Sequence, residues 1–310
     1  MIKEIAYANK EEWLALRQNF IGGSDAGAVI GMNQYKSAYA LWAEKTGKIP
    51  GFEGNLTTEV GAYLEDFVAG LFERETGKKV RRKNRMMVNE EYPFACADVD
   101  RVVVGENAIV EIKTTNSFPA MRKFKNGEYP ESWYCQMTHY LAVGGYDKAY
   151  LAVLIECRDF QIFELNRDEA EIKALMAAEA EFWAHVGNNT PPPVDGSPAT
   201  SEALSAVYPD STGDSVSLMA YEAELQQYMA LSKQIKELET LKDEVANRVK
   251  LFMGDSGKGE SAGYKVSWTS SSRSSFDQKK FAADHKDMDL SAYQKTSSYR
   301  TFKVSERGDK

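Results

Sequence analysis

Between Thr57 and His185 the apolar residues switch repeatedly between a helical spacing and a strand spacing, which points to a mixed α/β core. From about Thr57 to Thr76, Val60, Leu64, Phe67, Val68, Leu71 and Phe72 recur at three- and four-residue intervals, predicting a helix that Gly77 ends. Three runs with strand character follow: Val80 to Val88, Phe94 to Val104, and Ala108 to Thr114. They are expected to pair antiparallel, with Gly105-Glu106-Asn107 turning between the last two. After a loop around Phe118 to Pro130, a helix is predicted over Trp133 to Val143, stopping at Gly144-Gly145. Lys148 to Cys157 reads as a strand, Phe160 to Leu165 as its partner, and Asp168 to His185 as the closing helix.

Either side of this core the pattern is looser. Lys10 to Arg17 is compatible with a short helix, and Gly22-Gly23 reads as a helix break. Ser24 or Asp25 is placed to cap a new helix through Ala26 to Ile30. Asn188 to Ser215 is rich in Pro, Ser, Thr, Gly and Asn and reads as a linker. Beyond it, Leu225, Leu231, Ile235, Leu238, Leu241, Val245, Val249 and Phe252 make an apolar stripe on a long charged helix. A coiled-coil arm fits that stripe, but packing against its own domain is the preferred expectation. Gly263 to Trp268 and Arg300 to Val304 look like short strands around a Ser-rich loop. The division expected is a core domain over 1–187, a linker over 188–215 and an extension over 216–310.

The net charge of -8 argues against a protein that coats nucleic acid through bulk electrostatics. It is compatible with clustered carboxylates that hold a divalent cation. Lys78 to Arg85 and Arg122 to Lys125 are basic runs, each fitting a solvated surface as well as phosphate binding. Three scattered cysteines without a CxxC pair point to neither a disulfide framework, a zinc site nor a four-cysteine cluster. With no signal-like start and no apolar run of membrane length, a cytoplasmic, reducing setting is expected.

The chemistry concentrates in Asp100-Arg101 and, nine residues on, Glu111-Ile112-Lys113. Residues two apart on a strand share a face, so Glu111 and Lys113 project together, and Asp100 on the preceding strand can meet them. Hard carboxylate oxygens bind Mg²⁺, which polarises a phosphate and activates water, while an ammonium positions that water or offsets developing charge. Glu65, on the preceding helix, supplies a third carboxylate. Asp98 shares a face with Asp100, so spacing alone leaves either as the ligand. His139 reads as a packed histidine, Cys96 as a small core residue, and His185 and His285 invite no role.

Several stretches, in order, resemble the YqaJ-type viral recombinase family, relatives of lambda exonuclease in the PD-(D/E)xK nuclease superfamily. They are Trp13 to Arg17 with Ile21 to Ser24, Gly61 to Glu65, Thr76-Gly77, Ala97 to Arg101, Glu111 to Thr114, and Gln136 to Gly144. The resemblance covers about residues 10 to 165. It implies a restriction-endonuclease-like core, a central mixed sheet flanked by helices, to which the residues after 215 add a helical and small-β extension. It implies that Glu65, Asp100, Glu111 and the carbonyl of Ile112 bind Mg²⁺, with Mn²⁺ as the alternative, and it favours Asp100 over Asp98. Lys113 inherits the family's catalytic lysine. Gln136 and Tyr140 inherit a role supporting the site or contacting DNA. Arg17 and Ser24 look like the pair that holds a 5′ phosphate, which suits a guanidinium.

The function so implied is a phage- or prophage-type exonuclease that resects double-stranded DNA ends 5′ to 3′ for homologous recombination. Its partners would be DNA ends, a single-strand annealing or recombinase protein, and further copies of itself in a ring trimer. A structure- or sequence-directed endonuclease and a non-catalytic DNA-binding protein on the same fold are the competing expectations.

Overall fold

A computed structural model of the chain describes all residues except 117, 286–287, 289–290, 294–298 and 308–310. It divides into two compact units, Met1–Tyr208 and Pro209–Lys310.

The first unit begins with β1 (Ile2–Ile5), α1 (Lys10–Arg17), β2 (Ile21–Gly22), α2 (Gly23–Val29), α3 (Ala38–Lys45) and α4 (Leu56–Thr76). Next come β3 (Val80–Arg81), β4 (Met86–Asn89), β5 (Tyr92–Ala97), β6 (Arg101–Val103) and β7 (Ala108–Thr115). It closes with α5 (Phe118–Lys125), α6 (Glu131–Gly144), β8 (Lys148–Ile155), β9 (Asp159–Asn166), α7 (Glu169–Gly187) and α8 (Pro198–Val207). The main sheet has the order β3-β6-β7-β8-β9, antiparallel except for the parallel pair β7 and β8. A parallel neighbour needs a crossover, and α5 with α6 provides it. A smaller sheet, β1-β4-β5-β2, is antiparallel except between β2 and β5.

The strand period sorts β7 onto two faces. Ala108, Val110 and Ile112 pack with Val68, Leu71 and Phe72 of α4, whereas Ile109 packs with Met137 and Leu141 of α6. Glu111 and Lys113 continue the Ile109 face and therefore turn towards α6. The long α4 starts at Asn55, whose side chain accepts from the Thr58 N–H, and ends at Gly77, whose φ of 72° is left-handed. A third apolar cluster joins α3 to Ile21, Phe182 of α7 and Ala203 of α8.

Several expectations change here. The run Phe94 to Val104 is two strands in different sheets, β5 and β6, so Asp98 and Asp100 lie in the connection between them rather than on a strand. Val80 to Val88 likewise splits into β3 and β4. The loop around Phe118 to Pro130 contains α5, and the stretch 188–215 read as a linker contains α8, started by Ser197 and Pro198. Neither Ser24 nor Asp25 is the cap of α2. Gly22 holds that place, and its N–H donates to Asp25 Oδ2 at 3.1 Å.

The second unit contains α9 (Glu222–Met253), the hairpin β10 (Lys258–Glu260) and β11 (Lys265–Ser267), and α10 (Gln278–Asp284). Residues 300–304 form no strand, and part of the Ser-rich loop lies outside the described residues. Among the described residues no helix is long and apolar enough to cross a membrane.

Candidate active site

Between the carboxyl-terminal half of β7 and the first half of α4 the first unit opens a cavity of about 510 Å³. Its lining includes Arg17, Ser24, Glu65, Asp100, Glu111, Ile112, Lys113, Gln136 and Tyr140, so the structure brings together every residue given a site role from the sequence.

The centre is Glu111, 2% exposed. Its Oε1 lies 2.7 Å from Lys113 Nζ and accepts from Gln136 Nε2, also at 2.7 Å. Lys113 donates to Gln136 Oε1 at 2.9 Å, and Gln136 Nε2 reaches the Tyr140 hydroxyl at 3.1 Å. Gln136 and Tyr140 are one helical turn apart on α6, which is why both face this strand. The other oxygen, Glu111 Oε2, is buried without a hydrogen-bond partner. An unpaired buried carboxylate oxygen is costly, and its usual remedy is a cation or a proton.

Asp100 stands across from it, with Oδ2 accepting from the Ile112 N–H at 2.7 Å. Burial, then the charge of Glu111, push its carboxyl well above the ordinary aspartate range; Lys113 opposes and Glu65 adds to the rise. Burial also raises Glu111 against the pull of Lys113. Burial pulls the Lys113 ammonium down, but Glu111 and Asp100 outweigh it and hold the lysine charged. Two buried carboxylates thus share one ammonium. The surplus negative charge and the free Oε2 fit a hard divalent cation held by oxygen ligands.

Glu65 is held by Arg101, an interaction that sequence reasoning missed. The buried Arg101 guanidinium binds Glu65, donates to the Asp100 carbonyl at 2.6 Å and reaches Asp66 at 2.7 Å. It fastens α4 to the start of β6. The available signal was an arginine directly after the candidate ligand, leading an otherwise apolar strand. With Glu65 so engaged, no three acidic, His or Cys side chains among the described residues converge as a ready ligand cage.

Asp98 has a different environment. Its Oδ2 accepts from the Trp13 indole N–H at 2.9 Å, and its other oxygen is buried and unpartnered. Burial raises its carboxyl, while Trp13, Arg17 and Tyr7 lower it. The geometry therefore separates the two aspartates, Asp100 beside Glu111 and Asp98 beside Trp13.

Arg17 donates to Ser24 Oγ at 2.7 Å and lies 5.0 Å from the centre of the Trp13 ring. Asp25 sits 3.7 Å from Arg17 and 3.2 Å from Lys45, a residue to which no role was assigned. Burial would raise the Asp25 carboxyl, yet Lys45 and Arg17 hold it down at about 2. Gly22 and Gly23 are more than a helix break. A Cβ on Gly22 would come within 2.8 Å of Arg17, and one on Gly23 within 2.4 Å of the Tyr140 ring. His139 is packed as expected: one ring nitrogen lies 2.8 Å from Glu179 and the other 2.9 Å from the Cys96 carbonyl. Of the basic runs, Lys78, Lys79, Arg82 and Lys83 are engaged in ion pairs with Glu106, Glu73, Asp66 and Glu4.

Residues 12–147 match the YqaJ-like viral recombinase domain. Across 304 residues the chain is 38% identical to the uncharacterized protein YqaJ of Bacillus subtilis strain 168, covering 96% of this chain and 95% of that one. The chain belongs to the YqaJ-like family. Its fold is similar to that of an alkaline exonuclease from Laribacter hongkongensis, with a TM-score of 0.51 over 58% of this chain and 94% of that one. At 21% identity that likeness speaks to the fold. It bears out the mixed α/β, nuclease-like core expected from the sequence.

Proposed function

We propose that this YqaJ-like protein is a divalent-metal-dependent exonuclease that resects double-stranded DNA from its ends, 5′ to 3′, in the bacterial cytoplasm. The observation that carries the reading is the buried, unpartnered Glu111 Oε2 beside Asp100 and Lys113, in the same cavity as the Arg17–Ser24 pair. Asp100 and Glu111 would hold Mg²⁺, with Mn²⁺ as an alternative, together with the Ile112 carbonyl and with Glu65 once it turns from Arg101. Bound there, the cation would polarise the scissile phosphate and favour ionisation of the attacking water.

The remaining chemistry belongs to the chain's own side chains. Gln136 and Glu111 fix the Lys113 ammonium, so its charge is aimed before substrate arrives and offsets the negative charge that develops at the phosphate. Tyr140 supports Gln136 from the next turn of α6. Arg17, backed by Asp25 and oriented by Ser24, supplies a guanidinium for a terminal phosphate. That second anion grip favours an end-directed enzyme over an endonuclease. The single strand left behind would pass to an annealing or recombinase protein.

The test is degradation of linear duplex with and without a 5′ phosphate, beside closed circular DNA, in Mg²⁺ or EDTA. The reading expects metal-dependent loss of the phosphorylated linear duplex and an intact circle. A nicked or linearised circle makes the protein an endonuclease. Tight DNA binding with no cleavage makes it a binding protein and removes the proposal.

A further inference from the structure

In the second unit α9 runs for 32 residues without one buried side chain. Starting at Tyr228, every third and then fourth residue as far as Phe252 is apolar, with Lys242 the single exception. This is a strict seven-residue repeat, not the looser three-or-four spacing of a helix lying on a globular core. A straight helix drifts about 20° per heptad against such a repeat, so the seam stays in line only against a partner helix that supercoils with it. The seam is open to solvent: Leu238 is 65% exposed and Phe252 94%.

The unit's own carboxy-terminal segment takes another face. Val304 shares a groove with Gln226, Met229 and Lys233, all off the seam, and reaches the seam's beginning where the Phe302 ring lies 5.6 Å from Tyr228. Among the described residues, that segment leaves the rest of the seam uncovered.

We propose that α9 forms a two-stranded coiled coil with α9 of a second copy of this chain. A second copy supplies a helix with the same seven-residue repeat, and the seam residues choose the number of strands. β-branched Ile235 and Val249 hold one seam position and Leu231 and Leu238 the other, the combination that two-stranded packing accepts best, with Val245 and Phe252 completing the second set. Lys242 occupies the position where one polar residue fixes register and strand number at some cost in stability. In a pair of helices its ammonium reaches water along the side of the seam, which the closed core of a larger bundle denies. This surface goes beyond the proposed nuclease activity and does not depend on it.

The test sizes the full chain by sedimentation equilibrium, comparing the wild type with Leu238→Asp on the seam and Thr240→Asp on the outer face of the same helix. Both positions are exposed, so neither change disturbs a packed core. Leu238→Asp is expected to halve the mass and Thr240→Asp to leave it unchanged. Reading the ratio between variants keeps any self-association of the first unit out of the comparison. A mass unaffected by Leu238→Asp, or a wild type already at the mass of one chain, overturns the proposal. Lys242→Leu is expected to lower the dissociation concentration at least about tenfold, and no tightening would show that Lys242 is outside the seam.

Discussion

The two units of this chain use apolar residues in opposite ways. In the first, α4 buries Val68, Leu71 and Phe72 and α6 buries Met137 and Leu141 on opposite faces of β7 and β8, while Val60 and Phe67 of α4 stay exposed, and the polar residues left at the end of that sheet are few, buried and bonded to one another. In the second, α9 carries a stripe as regular as any in the first, and none of it is buried. The contrast teaches that periodicity reports a need for a partner surface, not where that surface is. The first unit satisfies the need internally and can then afford a charged, partly unsatisfied cluster. The second leaves it for another chain.

The largest effect that would sharpen this comparison is catalytic. Lys113→Ala is expected to lower DNA turnover by about a thousandfold or more, because the fixed charge at the phosphate is lost. Leu238→Asp should leave turnover on a short linear duplex nearly unchanged. Loss of cleavage in Leu238→Asp would break the separation of roles.

Next in size is stability. His139→Ala leaves Glu179 buried without its partner, and the first unit should lose roughly 3–5 kcal/mol in urea unfolding. Leu238→Asp should change the unfolding of that unit by less than about 0.5 kcal/mol. The His139 pair also sets a pH dependence. Burial lowers the imidazole's affinity for a proton, but Glu179 and the Cys96 carbonyl outweigh this and raise its value above 6.5. A raised value in the folded state stabilises below 6.5, and the contribution fades as pH rises through the folded-state value. Urea midpoints should therefore fall as pH rises above 6.5, and His139→Ala should remove that slope.

A smaller effect is expected at the phosphate grip. Arg17→Ala should erase the preference for a 5′-phosphorylated end, at roughly 10- to 100-fold in kcat/KM, the worth of one charged hydrogen bond. Cleavage of unphosphorylated ends should change far less, and equal loss on both substrates would move Arg17 out of that role. The smallest is the Asp25 contribution of about 2 kcal/mol. Its folded value of about 2 lies below the ordinary 3.8, so this stability is present above 3.8 and lost as pH falls through about 2. Lys45→Met should flatten that acid limb.

Much of the first unit is legible because its signals are local. Asn55 and Gly77 bracket α4, and the alternation in Ala108 to Thr115 fixes which side chains face together. What escaped has a physical reason in each case. Tyr39, Ala40, Leu41, Trp42 and Ala43 are all buried, so α3 is apolar on every side and shows no helical stripe. The break between β5 and β6 depends on the chain leaving one sheet for another at Val99, which no two-residue period records. Arg101 with Glu65, and Lys45 with Asp25, are pairings between distant segments; only the fold brings them together. At the other extreme, the α9 heptad is fully local, and what the sequence withholds is only the copy it pairs with.

The claim on which the functional account rests is that Asp100 and Glu111 form a divalent-metal centre. Titration of the full chain with Mn²⁺, followed by electron paramagnetic resonance, tests it without any DNA. The account predicts saturable Mn²⁺ binding by the wild type and at least about a tenfold loss of affinity in Glu111→Gln. Absence of bound Mn²⁺, or equal binding by Glu111→Gln, would contradict it.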